Sequence, residues 1–505
     1  MSNRGAISAD SIRRNDWGSF DPPVLGGWIP SLDVTVVIAD ETEQDRLEHT
    51  LASLAHQTYP ADLFEVVVVD AEARDRFELP KLRPERCLLV DAAGRAPFPT
   101  AVAASSSKVI IRLPAGAVVA PELVAALVRW QHVTPEAVSI ATLAEIASDW
   151  SSAEEISDRA ADGTLASAAP AAGATPSAEL TKLLAGTHDL RTADHLAFLA
   201  VAGMPFAFAR DRYEPGTDPY EGADIEVGYR LAQAGAVFLP EPHARAWAVG
   251  ADRAALARRQ RARLANLLPY PRGNRGAGGR TWAVPLVTAV VPADGPYETV
   301  RSCVDRLLGG QEGDLRVLLV GDWENLPAGS GEDSDLGLLA AEYRAEPRVR
   351  LVTSEPTNGF PSPYLLRVPS RLGVGPATVR SLITSADRWQ AGLVRVLPAA
   401  ASSAAQALEL WRTAALSRAL RVGAPVGKLP AVVGRTHGER WETGSEYDVV
   451  DLTSPKAARA AAAAGRGAGR PTETIAVGGA RSLAKATTFV ARRYARAAKR
   501  RIVRR

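Results

Sequence analysis

The chain has 505 residues, of which 46% are hydrophobic and 23% are charged. It is therefore long enough for two or three packed domains and is not globally disordered. Its two cysteines, Cys87 and Cys303, are too few for a disulfide scaffold or a cysteine-rich zinc module. The formal net charge of +2 conceals a basic end, because the last 28 residues, 478–505, contain ten Lys and Arg and no acid.

The beginning of the chain and its apolar runs bear on location. No run of 18 apolar residues occurs, and the first residues lack the apolar segment of a secretion signal. We therefore expect a cytoplasmic protein without a membrane-spanning helix.

Strand-like and helix-like segments alternate from Leu32 onward, after a polar stretch at 1–28 that we expect to be a flexible N-terminal arm. Short β-branched runs indicate buried strands, and apolar residues at helical spacing indicate helices between them. The predicted strands are 33–40, 65–70, 86–91 and 108–113, and the predicted helices are 45–57, 121–131 and 222–235. This alternation predicts a mostly parallel sheet with right-handed crossovers.

Three other segments differ in composition. Residues 151–180 are rich in Ala, Ser, Gly and Pro, which predicts an insertion or a mobile loop. Residues 254–265 read as a basic helix, and 272–280 have the composition of a linker.

The segment after this linker repeats the first strand–helix–strand unit. Thr35 aligns with Thr288 and, after one deletion in a turn, Asp70 aligns with Asp322. We interpret this as a degenerate internal duplication; the alternative is that any two strand–helix–strand units resemble each other.

Six segments carry a resemblance to a known family: VTVVIA, TLASLAHQTYP, EVVVVD, KVIIRL, PELVAALVRW and, most specifically, GADIEVGYRLAQAGAVFLPEPHARAW. They resemble the family 2 inverting glycosyltransferases with the GT-A fold, over roughly residues 30–250. The latter half is similar to the second domain of actinobacterial members. The resemblance implies an α/β protein, with a GT-A domain of Rossmann-like, mostly parallel sheet, a second GT-A-like α/β domain and a basic C-terminal helix.

Composition and resemblance together predict six regions. They are a flexible arm at 1–28, the GT-A domain at 29–271, a linker at 272–280, the second α/β domain at 281–455, an Ala/Gly-rich linker at 456–479 and a basic amphipathic tail at 480–505.

The resemblance implies a nucleotide-sugar site at the carboxyl ends of the strands. Asp70, at the end of the second strand, would bind the nucleotide, with Asp40 and Glu41 after the first strand as further candidates. Asp70 could equally cap the next turn.

The family's metal motif, Asp-x-Asp, should follow KVIIRL, but the sequence there is Pro114, Ala115 and Gly116. These side chains offer no oxygen to Mg²⁺ or Mn²⁺, and no acid occurs between Asp91 and Glu122. The sequence therefore predicts no metal site, and a nucleotide-sugar donor is the one bound group that the resemblance still implies.

The family's Glu-Asp pair corresponds to Ala223 and Asp224. Asp224 could be the general base that deprotonates an acceptor hydroxyl, or the N-cap of the following helix. In the second half, Asp322 is followed by Trp323 and no acidic pair appears, so we expect this half to be a scaffold or interface.

The tail has apolar residues on one helical face and basic residues over much of the rest. Membrane contact is expected from Arg492, Arg493, Arg496, Lys499 and Arg500. Such a helix suits an anionic membrane surface, where each basic residue contributes about 1 kcal/mol. The alternative is a disordered tail that binds nucleic acid nonspecifically, which we do not favour.

Two functional hypotheses follow. The first is a transferase that moves sugar from a nucleotide-sugar donor to a glycan or lipid-linked acceptor in cell-surface polysaccharide synthesis, in the cytoplasm or peripherally on the inner face of the plasma membrane. The second is a catalytically inactive pseudo-glycosyltransferase that serves as a binding or scaffold subunit for a partner glycosyltransferase. The missing metal motif favours the second, since a bound metal supplies several kcal/mol of charge stabilisation in the transition state.

Overall fold

The computed structural model describes residues 7–39, 43–70, 78–146, 148–169, 175–176, 178–216, 222–249, 258, 262–275, 280–326, 334–398 and 406–454. Asp40, Glu41 and the tail residues Arg492, Arg493, Arg496, Lys499 and Arg500 lie outside these residues. Met1–Asp451 forms one compact unit, and Leu452–Arg505 forms another. Two large sheets lie in the first unit.

Aliphatic and β-branched runs form the strands of the first sheet. The strands are β1 Val34–Ile38, β2 Phe64–Asp70, β3 Cys87–Asp91, β4 Val109–Arg112, β5 Val118–Val119, β6 Ala137–Ile146, β7 Thr175–Pro176, β8 Phe206–Ala209 and β9 Val237–Val249. The helices beside it are α1 Gln44–Leu54, α2 Pro97–Ala104, α3 Leu123–Val128, α4 Ala153–Ala161, α5 Leu165–Ala168, α6 Ala178–Gly186 and α7 Asp224–Gln233, with 3-10 turns at Ala9–Ser11, Ala197–Val201, Arg210–Arg212 and Arg272–Asn274.

The first sheet has the strand order β3-β2-β1-β4-β8-β6-β9-β5, and β7 pairs with β6. Strands β3, β2, β1 and β4 are parallel, β8 is antiparallel to both its neighbours, and β6 and β9 are parallel. The predicted α/β fold with a mostly parallel sheet is therefore confirmed.

The second sheet is built from the latter half of the unit. Its strands are β10 Val287–Pro292, β11 Leu315–Val320, β12 Val349–Val352, β13 Tyr364–Arg367, β15 Leu393–Leu397, β16 Leu408–Arg412 and β17 Glu439–Thr443. A separate two-stranded sheet is formed by β14 Leu372–Val374 and β18 Val449–Asp451. The helices are α8 Tyr297–Leu308, α9 Asp335–Tyr343, α10 Thr378–Trp389, α11 Thr413–Arg421 and α12 Leu429–Thr436, with a 3-10 turn at Val426–Lys428.

The second sheet repeats the topology of the first. Its order is β12-β11-β10-β13-β16-β15-β17, with β16 antiparallel to its neighbours and β15 parallel to β17. A buried hydroxyl pair is repeated as well: Thr35 lies 2.9 Å from the Ser107 hydroxyl, and Thr288 lies 2.9 Å from the Ser362 hydroxyl. The shared strand order and this pair support the predicted duplication.

The register corrects one predicted equivalence. Val34 pairs with Phe64 in the first sheet, and Val287 pairs with Leu315 in the second. Counting along both strands from these pairs makes Asp70 equivalent to Gly321. The aligned residue Asp322 lies one position further, because the turn before β11 is shorter by two residues rather than one.

Two predictions about packing were wrong. Strand β3 was expected to be buried, but it is the edge of the first sheet, and Leu88 and Leu89 are 49% and 39% exposed. The segment 151–180 was expected to be an insertion or a mobile loop, and the second alternative was wrong for its described part, which contains α4 and α5. Ile156 and Leu165 are fully buried there in a small apolar cluster with Trp150, and burial of this kind is what stabilises a short helix.

The two sheets are joined through buried polar contacts. Arg418 on α11 donates to the carbonyls of Gly235 (2.9 Å) and Ala236 (3.3 Å) at the end of α7. Gly235 has φ +89°, and a β-carbon there would lie 2.9 Å from the Ala414 carbonyl oxygen. Only glycine permits both this backbone conformation and this approach.

The N-terminal segment also contributes to this junction. The buried Asn15 side chain donates to the carbonyls of Leu190 and Phe238 and accepts from the Phe238 N–H. The sequence did not predict these contacts. None of the described helices is long and apolar enough to cross a membrane.

Candidate functional site

The carboxyl ends of the parallel strands lie along one side of the first sheet, where we predict the nucleotide site. We call this side the carboxyl edge, to distinguish it from the edge strand β3. Asp70 is the last residue of β2, and its register partner on β3 is Asp91. Asp70 is 9% exposed. Asp91 accepts a hydrogen bond from the N–H of Ala93 (2.7 Å), so it holds the turn after β3. The assignment of Asp70 to nucleotide binding stays a prediction.

The turn after β4 occupies the position of the missing metal motif. It contains Pro114, Ala115 and Gly116, and Gly116 has φ +78°. No group of three or more His, Cys, Asp or Glu side chains in the described ranges is arranged to hold a metal ion. Divalent hard cations require several oxygen ligands, so the residues described at this turn do not fit one.

A basic side chain lies against this turn. A β-carbon at Gly116 would be 3.4 Å from Cδ of Arg46, which extends from α1. The Arg46 guanidinium pairs with Asp149 (3.3 Å), and Asp149 also lies 3.4 Å from Nδ1 of His49. The turn therefore borders a half-exposed cation held by one carboxylate.

Asp224 is the first residue of α7, and Ala223 is the N-cap. The interpretation of Asp224 as an N-cap was therefore wrong. One carboxylate oxygen pairs with the Arg112 guanidinium at 2.8 Å, and the other accepts a hydrogen bond from the Gly203 N–H at 2.9 Å. The Asp224 side chain is 14% exposed and that of Arg112 is 3% exposed, so the pair is almost removed from water.

A second buried pair lies one turn further along α7. Arg230 donates to the Glu226 carboxylate, and both side chains are less than 10% exposed. The two pairs converge on Gly222: Arg112 donates to its carbonyl (3.1 Å), and Glu226 accepts from its N–H (2.9 Å). We call Arg112, Asp224, Glu226, Arg230 and Gly222 the Gly222 cluster.

The backbone of Gly222 explains why glycine occupies the centre of this cluster. Its φ is +96°, and a β-carbon would lie 2.5 Å from the β-carbon of Phe98. No larger residue fits without a shift of the Phe98 backbone. The cluster thus fixes the chain that enters α7 against β4 and α2.

Sequence reasoning identified Asp224 but missed its partner. Arg112 is the one charged residue within the apolar run Val109–Leu113. A buried charge at the end of an apolar strand requires an opposite charge, and this signal could have predicted that Arg112 is paired. The partner itself is 112 positions away in sequence, so only the fold could identify it.

The arrangement limits what Asp224 can do chemically. Hydrogen-bond donors contact both carboxylate oxygens, the Arg112 guanidinium on one and the Gly203 N–H on the other. A general base must reach the proton of an acceptor hydroxyl. The described contacts of Asp224 hold the start of α7, and its role as a general base stays a prediction.

The corresponding edge of the second sheet is closed by an aromatic side chain. Trp323 donates from Nε1 to the carbonyls of Leu319 and Val352, and its ring packs on Gly321. Asp322 accepts hydrogen bonds from Asn325 at 2.9 Å. These contacts hold the turn after β11, and the expectation that this half is a scaffold or interface stays a prediction.

Comparisons with known proteins find partial likenesses among solved structures. One is the mannosyltransferase PcManGT from Pyrobaculum calidifontis in complex with GDP-Man and Mn²⁺, at 17% identity and a TM-score of 0.31, covering 52% of this chain and 68% of that one. Another is TarS 1-349 of S. aureus in complex with UDP-GlcNAc, at 12% identity and a TM-score of 0.23, covering 31% and 58%. No family model and no curated protein matches the chain. At these TM-scores, the likenesses carry no conclusion about function.

Proposed function

We propose that this protein is a pseudo-glycosyltransferase, which serves as a binding or scaffold subunit for a partner enzyme in glycan synthesis. The observation that carries the proposal is the ion pair between Arg112 and Asp224, at 2.8 Å and almost out of water. The residue that would be the general base instead holds α7 against β4. The turn that would carry the metal motif has no oxygen side chains.

The charges at the carboxyl ends of the strands support the same proposal. Transfer from a nucleotide sugar leaves a diphosphate whose developing charge must be neutralised, commonly by a metal. The basic residue Arg112 is already paired with Asp224 and donates to the Gly222 carbonyl. It therefore cannot turn to a diphosphate without breaking the Gly222 cluster.

The test is turnover by the purified full-length chain. It would be incubated with UDP-, GDP- and dTDP-sugars, with and without Mn²⁺, in the presence of membranes as a source of acceptor. We expect no release of nucleoside diphosphate above that of membranes alone. Release that depends on the added chain, and that the double variant Arg112→Met/Asp224→Asn lacks, would contradict the proposal. The amide introduced by Asp224→Asn keeps an oxygen that can accept from the Gly203 N–H.

A second candidate is a metal-independent transferase, and the position of Arg46 favours it. This guanidinium borders the turn at Gly116, and Asp149 is its one described carboxylate partner. Arg46 could supply positive charge to a diphosphate, with Asp70 on the nucleotide.

Binding measurements separate this candidate from the first. A nucleotide at 100 times its dissociation constant stabilises the folded state by about 2.7 kcal/mol, which raises the melting temperature. If the protein is a metal-independent transferase, UDP, GDP or dTDP should raise its melting temperature equally with and without Mn²⁺. The variant Arg46→Gln should show a smaller rise. Arg83→Gln, which removes an exposed arginine whose guanidinium donates to the Pro80 carbonyl, is the matched control.

For the tail we propose reversible contact with an anionic membrane. The support is its sequence alone, with ten basic residues and no acid in 478–505. Full-length protein is expected to sediment with vesicles that contain phosphatidylserine, and a chain ending at 479 is expected to remain in solution. Equal sedimentation of both chains would contradict this role.

A further inference from the structure

A cavity of about 70 Å³ lies at the junction of the two sheets and the N-terminal segment. It is lined from the N-terminal side by Arg14 and from the first half by Gln233 at the end of α7. The second half contributes Arg412, Arg418 and His437. We call this the interface cavity. It is separate from the carboxyl edge that holds the Gly222 cluster.

Two polar side chains that line the cavity have no protein partner for a hydrogen-bonding group. Gln233 is 5% exposed, and its amide makes no hydrogen bond within the described chain. His437 is 7% exposed; its Nδ1 lies 2.9 Å from the Thr436 hydroxyl, while Nε2 has no partner among the described residues. Buried polar groups are nearly always satisfied by protein, water or ligand. The Gln233 amide and His437 Nε2 are therefore available to a water or a ligand in the cavity.

Arg14 adds further donors. Its Nη2 donates to the Trp389 carbonyl at 3.1 Å, whereas its buried Nε has no partner among the residues that the structure describes. Arg412 uses Nε and Nη2 for carbonyls and for Asp387 (3.0 Å), and no described group accepts from its Nη1. The unpartnered groups of the cavity are thus mainly N–H donors.

The charge around the cavity is positive. Three guanidiniums line it, from Arg14, Arg412 and Arg418, against the single described lining carboxylate of Asp194. Arg412 is balanced by Asp387 (3.0 Å), which also lies 3.7 Å from Nδ1 of the lining residue His195. Arg418 donates only to backbone carbonyls and has no carboxylate within 4 Å in the described chain. The nearest carboxylate that acts on Arg418 is that of Glu136, which lies beyond 4 Å and only partly offsets the burial of this cation.

The titration of the nearby groups agrees with this imbalance. Burial lowers the pKa of the Arg418 guanidinium to about 10. Burial and the neighbouring Arg418, Arg412 and Arg14 hold the pKa of His437 well below its ordinary value. An anion in the cavity would offset both effects.

We propose that the interface cavity binds a tetrahedral oxyanion, either free phosphate or the phosphate group of a small monoester. The donors of Arg14, Arg412 and Gln233 would hold its oxygens, and Arg418 would contribute charge. A water needs about 10–15 Å³ of such space, so 70 Å³ accommodates several waters or one such ion. Because the donors come from both halves and from the N-terminal segment, the bound ion would stabilise the junction between the two sheets.

The test is the melting temperature of the full-length chain at constant ionic strength, with sodium chloride replaced stepwise by sodium phosphate. We expect the melting temperature to rise with phosphate concentration. Above the dissociation constant it should increase with the logarithm of that concentration, because a ligand that binds only the folded state stabilises it by RT ln(1 + [L]/Kd). Sulfate and glycerol phosphate are tested in parallel. A response to phosphate and sulfate alone identifies a free ion, and an equal or larger response to glycerol phosphate identifies a monoester.

Two variants localise the effect. Arg14→Gln is expected to raise the apparent dissociation constant for phosphate at least ten-fold, whereas Arg13→Gln, which removes the exposed neighbouring charge, is expected to leave it unchanged. Gln233→Met removes the unpartnered amide at similar volume. It should keep or raise the melting temperature without phosphate and weaken the response to it. Equal melting temperatures in phosphate and chloride, or equal responses of the Arg13 and Arg14 variants, would overturn the proposal.

Discussion

At the scale of single residues, the candidate site contains buried charges that are paired with each other. Asp224 is identified by its resemblance to a family position, but its contacts with Arg112 and Gly203 are long-range and cannot be read from local sequence. The position of Asp70 at the end of β2 was easier to predict, because the end of a β-branched run indicates where a strand ends. Gly222 was not singled out, since its requirement for a positive φ depends on the approach of Phe98.

The buried pair predicts a specific pattern of stability changes. Arg112→Met leaves the Asp224 carboxylate with little water and without its cation, which should lower the free energy of unfolding by about 3–5 kcal/mol. The double variant Arg112→Met/Asp224→Asn removes both charges and should lose less than Arg112→Met alone. Urea denaturation of the two variants and the parent measures this. A single variant within about 1 kcal/mol of the parent would show that the pair contributes little.

Gly222 predicts a clash that can be separated from its backbone strain. Gly222→Ala should be destabilised by the positive φ and by contact with Phe98. Gly163→Ala is the matched control, because Gly163 has φ +75° and nothing within 4 Å of a β-carbon. The control should lose about 1 kcal/mol, and Gly222→Ala clearly more. Equal losses in urea denaturation would remove the argument that the cluster needs glycine for its tight packing.

At the scale of secondary-structure elements, the alternation of strands and helices was predictable, whereas the position of each strand in the sheet was not. The run 86–91 has the apolar composition of a buried strand, yet β3 forms an edge. Composition also misidentified α4, because a run of small residues resembles a loop until Ile156 and Leu165 are seen to pack together. The repeat of the first strand–helix–strand unit was predicted from the alignment of Thr35 with Thr288, although the register moved the equivalent of Asp70 from Asp322 to Gly321.

The packing of α4 predicts the effect of a core truncation. Ile156→Ala should lower the free energy of unfolding by about 2–5 kcal/mol, as for other fully buried aliphatic residues. Ala161→Ser, at the end of the same helix on its exposed side, should change it by less than about 0.5 kcal/mol. If Ile156→Ala has as little effect as this control, the segment behaves as the mobile loop that its composition suggests.

At the scale of the whole molecule, the two halves share a strand order but differ in the side chains at the ends of equivalent strands. They meet through charged side chains. The residue equivalent to Arg112 by strand register is Arg367, which pairs with Glu355 and lies over the ring of Trp411. In the described chain, the second half therefore lacks a counterpart of the Arg112–Asp224 pair. No local pattern in the sequence predicted that Arg418 and His437 would be buried at the junction, because their partners come from the other half and from the N-terminal segment.

The buried histidine at the junction predicts a dependence of stability on pH. The pKa of His437 is held well below its ordinary value by burial and by Arg418, Arg412 and Arg14. As the pH falls through about 6.5, the unfolded chain takes up a proton that the folded chain refuses, so stability is complete above this pH and declines below it. The slope from one such group is at most about 1.4 kcal/mol per pH unit.

Urea denaturation between about pH 7.5 and 5, in phosphate-free buffer, measures this slope. His437→Gln should reduce this slope by the contribution of about one proton. The rest of the slope is expected from His132 and His195, whose pKa values are also lowered by burial. Burial alone would raise the pKa of Asp387, but Arg412 and His195 lower it overall, so this carboxylate affects stability only near about pH 4 and below. A slope unchanged in His437→Gln would contradict the account.

The measurement that tests the central claim most directly is complementation of a strain that lacks this chain, with its surface glycan as the readout. Three forms would be compared at matched expression: the parent, Arg112→Met, and Arg112→Met/Asp224→Asn. If Asp224 anchors the fold and does no chemistry, the double variant restores the glycan at least as well as Arg112→Met, because it is the more stable of the two. If Asp224 is a catalytic base, the order reverses: Arg112→Met retains some function and the double variant has none.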